Sequence, residues 1–181
     1  MNKNSTAIIG LLSLFTLMMQ AFLFLGTITS IWVFSSFPVG KQAVLSTILE
    51  HVDLKNSSLT SNSYVAFYLV IYFFGILMLF LYLNCIRRLL QNINEKIYFE
   101  EKNLNLIKRT LIFFSSYTFA NFGMELVHRV FNVIPLYDLT ASQSYSWLGI
   151  FDGLVTVMGI YVIYVVFRQG VLLKKENQSI V

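Results

Sequence analysis

The chain alternates long apolar runs with short polar ones. No Asp, Glu, Lys or Arg occurs from Asn4 to Gly40, and none from Ser57 to Ile86. A bilayer core of about 30 Å is crossed by roughly 20 apolar residues in helical form, so each run is long enough to span it. Two further runs, 111–133 and 147–167, are apolar with a few polar interruptions. The pattern predicts an all-α fold, an integral membrane four-helix bundle forming one domain over 1–181. Its spans are about 7–34, 64–86, 111–133 and 147–167. Pro38 and Gly40 close the first, Arg87 and Arg88 the second, and Pro135 the third. The first apolar stretch is about twice the length of a signal-peptide core, so it reads as a retained helix rather than a cleaved leader.

Between the first two spans, residues 41–63 form a Ser- and Asn-rich outer loop. Within it, Val44, Leu45, Ile48, Leu49 and Val52 recur at helical spacing, which predicts a short interfacial helix over 42–54. Residues 87–109 form a second polar connection, of mixed charge, and 168–181 a polar tail.

Composition supports the membrane reading. The chain is 56% hydrophobic and 12% charged, too few charges to cover a soluble domain. The net charge of +4 does not point to nucleic acid. Ten of the 13 Lys and Arg lie in the amino tail, the 87–109 loop and the carboxyl tail. Cationic loops stay on the cytoplasmic side, so the expected topology is N-in and C-in in a cell membrane. Tyr137, Tyr145 and Trp147 near the outer boundary fit an interfacial aromatic belt.

Candidate chemistry concentrates in the third span. Thr118, Asn121, Glu125, His128, Arg129 and Asn132 fall on one face at about 100° per residue. Glu125 and Arg129 have the i,i+4 spacing of a helical ion pair. Asp152 sits near the start of the fourth span, at what its span boundary makes a similar depth. These positions predict an outer-leaflet polar cluster of Asn121, Glu125, His128, Arg129 and Asp152. Two readings stand: polar glue between helices, or a ligand, ion or proton site, with His128 as a pH-sensitive member. Gly149, Gly153 and Gly159 on the fourth span predict close packing on that face. Tyr64, Tyr68, Tyr72 and Tyr82 lie near one face with Gly75 and read as helix packing, and Gln20 reads as a hydrogen-bonding contact to a neighbouring helix.

No catalytic apparatus emerges. Cys85 is the only cysteine, which rules out an intrachain disulfide or a Cys-based zinc site. Glu125 and His128 lack the further ligands of a metal site, and no nucleophile elbow or phosphate-binding loop occurs. The expectation is a non-enzyme with no cofactor and no metal.

The run Phe167-Arg168-Gln169-Gly170-Val171-Leu172-Leu173-Lys174-Lys175-Glu176-Asn177 resembles the ending of a bacterial family of small four-span membrane proteins of unknown function. That ending reads Phe-Arg-x-Gly-x-x-Leu-x-x-Glu-Asn. The last four residues, 178–181, depart from the family's usual finish. The segment 96–109, with Phe99, Glu101, Asn103 and Leu106, is similar to the family's central loop, with Tyr98-Phe99 in place of its Pro-Phe. Asp152-Gly153-Leu154 is similar to the start of its last helix, with different spacing. Members are often encoded beside helix-turn-helix regulators, so the resemblance implies a membrane partner or inhibitor of a cytoplasmic DNA-binding regulator. Arg87, Arg88, Phe99, Arg168, Gly170 and Glu176 are then the candidate cytoplasmic contacts. Alternatives from other classes are a self-protection protein against a membrane-active peptide and a small transporter or channel component. Partners beyond the lipid bilayer include a second copy of the chain.

Overall fold

The computed structural model describes residues 3–35, 46, 49–50, 52–54, 57–135 and 145–179. Four long helices account for most of them: α1 (Lys3–Ser35), α2 (Ser61–Asn94), α3 (Glu101–Val130) and α4 (Tyr145–Ser179). Two two-residue strands, β1 (Val52–Asp53) and β2 (Ile134–Pro135), pair antiparallel at one end, Val52 opposite Pro135. The architecture is all-helical apart from this bridge. The interfacial helix expected over 42–54 lies largely outside the described residues. Ser46 and Leu49 are helical, but Val52 and Asp53 are not, because they are paired with the segment that follows α3.

At 33 to 35 residues, α1, α2 and α4 are each about 50 Å long at 1.5 Å per residue. All three are long and apolar enough to cross a membrane. Their outer faces fit that solvent. Leu11, Phe22 and Trp32 of α1 and Met158, Val162 and Val166 of α4 are all more than half exposed. A helix that is apolar all round and yet exposed belongs in lipid, not water. The 30-residue α3 has spanning length but not spanning apolarity. Its middle carries Ser115, Ser116, Thr118 and Asn121, between Arg109 and Glu125.

The helices pack in chain order, α1 on α2, α2 on α3 and α3 on α4. Thus the most polar helix lies between two apolar ones. Buried Thr16 and Gln20, one turn apart, mark the narrow packed stripe of α1. Gln20 makes no hydrogen bond to a neighbouring helix among the described residues. A polar link between α1 and α2 joins Ser30 Oγ to the Tyr72 hydroxyl at 3.3 Å.

Helix ends are set by local chemistry. Thr60 caps α2, its Oγ1 accepting from the Ser63 N–H. At the other end Lys96 takes φ 62°. Its N–H donates to Ile93 O at 3.0 Å, and the Ile97 N–H donates to Asn92 O at 2.9 Å. These are the two bonds of a Schellman terminus, with Lys where Gly is usual. The end of α3 repeats the device. Asn132 has φ 52°, and the Val133 N–H donates to His128 O at 2.8 Å. Asn132 therefore terminates the helix rather than extending its polar face.

Candidate functional site

The segment 87–109 is helical except for 95–100, and 168–179 is wholly helical. Helices α2, α3 and α4 therefore run on past their apolar spans and meet at the basic end of the molecule. The hairpin 95–100 between α2 and α3 is organised by one residue. Asn103 is fully buried; it accepts from Asn92 Nδ2 at 2.6 Å and donates to the carbonyls of Ile97 and Tyr98, both at 2.8 Å. Each of these groups would cost free energy if buried unpaired. The sequence placed Asn103 only within a family-like segment. Its spacing from Asn92 gives no sign of the bond, since the two lie on different helices.

The hairpin in turn grips α4. The Phe99 ring packs against Gly170 and stands 5.2 Å, centroid to centroid, from Phe167. A Cβ at Gly170 would come within 2.6 Å of Phe99 Cε1, so the absence of a side chain is what admits the ring. Glu101 pairs with Lys175 and Glu100 with Lys174 alongside. The neighbouring ammonium of Lys175 holds the Glu101 carboxyl below its usual range. Phe99 and Gly170 are thus brought together. Arg88, Arg168 and Glu176 are exposed on the same end, while Arg87 is half-buried and donates to Asn84 Oδ1 at 3.4 Å.

A groove of about 660 Å³ remains beside this contact, lined by Phe99, Gly170, Leu173, Lys174, Asn177 and Gln178. Phe99 and Leu173 are both substantially exposed in it. An apolar floor with a polar rim is the composition of a docking surface.

The expected outer-leaflet cluster divides into separate parts. Glu125 and Arg129 form the expected pair, Nε to Oε1 at 2.8 Å. His128 and Arg129 lie in the last turn of α3, where positive charge also meets the helix dipole. His128 faces Tyr64 on α2, with 3.1 Å between the Tyr64 hydroxyl and Nε2 and the rings stacked. Tyr64 is buried with Val65 and Val133 in an apolar cap to which Val52, Leu54 and Leu59 add from the first connection.

Asp152 does not join this group. It is exposed, and among the described residues no ion pair links it to Arg129. The reason is register. Gly153 approaches Thr118 so closely that a Cβ would fall 2.7 Å from Cγ2, and Gly170 meets Phe99. In that antiparallel register Asp152 lies level with Phe119, about ten residues and roughly 15 Å from Arg129 along the axis. Asn121 is exposed on α3 and lines a cleft against α2. Of the packing glycines, Gly153 makes the close approach, Gly159 has nothing within 4 Å, and the surroundings of Gly149 lie outside the described residues. The side chains of Tyr145 and Trp147, and all of Tyr137, also lie outside them. Among the described residues no group of His, Cys, Asp and Glu is placed to hold a metal ion.

A family model described as a protein of unknown function, DUF2975, matches residues 51–181. The chain belongs to this family. No curated protein and no solved structure matches it. The match includes α2, α3 and α4 but not α1. The DUF2975 part thus contains both halves of the basic-end contact, the hairpin around Asn103 and the end of α4.

Proposed function

We propose that this DUF2975 member is a non-enzymatic bacterial membrane protein that binds or restrains a cytoplasmic DNA-binding regulator. In this reading all four helices cross the membrane, with both termini and the 95–100 hairpin in the cytoplasm. Helix α3 is carried through the bilayer by packing its polar side chains between α2 and α4. The single observation behind the docking role is the groove at the basic end, built from two family-like segments far apart in sequence. Its Phe99 and Leu173 offer apolar contact, while Lys174, Asn177 and Gln178 offer polar contacts at the rim.

The positive end also suits cytoplasmic placement, since nine of the 13 Lys and Arg lie in 87–109 and 168–175, the segments that meet there. Protein interfaces of this kind concentrate affinity in a few aromatic and apolar anchors. A photo-crosslinking residue in place of Leu173 is expected to yield an adduct with a helix-turn-helix protein in cells. Deleting the gene is expected to change transcription of that regulator's targets. No cytoplasmic adduct together with unchanged transcription would overturn the reading.

A further inference from the structure

A second cavity lies away from the basic end, between α2 and α3. It measures about 260 Å³ and is lined by Tyr68, Tyr72, Gly75, Tyr117, Asn121 and Met124, among others. Both walls belong to charge-free stretches, 57–86 on one side and 110–124 on the other. The cavity therefore sits in the apolar part of the helix pair.

Its polar groups are what set it apart from a packing gap. The side chains of Tyr68, Tyr117 and Asn121 make no hydrogen bond among the described residues. Two phenols and an amide without protein acceptors are costly where water is scarce. Together they carry up to four N–H and O–H donors on residues that line the same space. The wall is aromatic as well as polar. The rings of Tyr68 and Tyr72 are stacked within 12° of parallel, with centroids 6.0 Å apart. Gly75 faces Tyr117 across the cleft at 3.7 Å from where a Cβ would be, so the space depends on that position staying small.

We propose that this cleft binds a membrane-soluble ring compound bearing hydrogen-bond-accepting oxygens, of the quinone class. A lipid acyl chain fills volume but accepts no hydrogen bond. A quinone ring packs against the tyrosine wall while its carbonyl oxygens accept from Tyr117, Tyr68 and the Asn121 amide. The volume suits one substituted ring with its tail leaving into lipid.

The test uses the full chain in nanodiscs with radiolabelled decyl-ubiquinone as probe. Retention is expected to saturate above the level partitioned into protein-free discs. Tyr117→Phe, which keeps the ring and removes the donor, is expected to weaken it by about three- to tenfold. Gly75→Leu fills the cleft and is expected to abolish saturable retention, with helical content by circular dichroism unchanged. Retention equal to that of empty discs overturns the proposal, as does a correctly folded Gly75→Leu or Tyr117→Phe protein that binds like the wild type. The site is independent of the basic-end groove, so this outcome leaves the regulator-binding test untouched.

Discussion

Asn103 has most of its chemistry accounted for by the hairpin it holds. It is buried, accepts one bond and donates two, and every partner lies in the turn or on the neighbouring helix. Asn103→Leu keeps the approximate size but leaves the Ile97 and Tyr98 carbonyls and the Asn92 amide short of partners. It is expected to cost about 2–3 kcal/mol in a denaturant titration in mixed micelles. The two left-handed residues predict the opposite sign. At Lys96 and Asn132 a residue with a Cβ occupies the terminus position that glycine adopts without strain. Lys96→Gly is expected to raise stability by about 0.5–1 kcal/mol in the same titration, and Lys96→Val to lower it. Neither terminus was legible beforehand, because the sequence carries none of the glycines that usually announce a Schellman motif.

Helices were legible where solvent decides them. Apolar runs of this length have no stable alternative in a bilayer, so α1, α2 and α4 follow from apolarity alone. The register of α4 against α3 does not follow from apolarity. It is set by two close approaches, Thr118 against Gly153 and Phe99 against Gly170. Aligning span boundaries instead placed Asp152 beside Arg129 and overestimated the polar cluster. The ends of α3 and α4 are further tied by surface ion pairs, Glu101 with Lys175 and Glu100 with Lys174.

The Lys175 ammonium depresses the Glu101 carboxyl, so the contribution of that pair is present above the ordinary carboxylate range. It is lost as pH falls through the depressed folded value. Amide hydrogen exchange in the last two turns of α4 is expected to be slow at neutral pH, after correction for the intrinsic rate. It is expected to quicken at acid pH, with Glu101→Gln exchanging fast at both. Exchange independent of pH would show that the ion pair does not hold the helix end.

At the scale of the whole molecule, polarity is arranged by layer and by end. Polar α3 packs between α2 and α4, with α1 on the far side of α2. The basic end holds the hairpin, the α4 terminus and the open groove, while the opposite end is closed by Tyr64 and its apolar neighbours. The docking role proposed for the basic end depends on the hairpin and the α4 end sharing the cytoplasmic face, which requires α3 to cross the membrane. Cysteine accessibility measures this directly in a Cys85→Ser background. Single cysteines at Lys96, Gln178 and Ser58 are treated in intact cells with a membrane-impermeant maleimide. Ser58→Cys is expected to label in intact cells, and Lys96→Cys and Gln178→Cys only after the membrane is opened. Labelling of Lys96→Cys and Gln178→Cys from opposite sides would contradict the account.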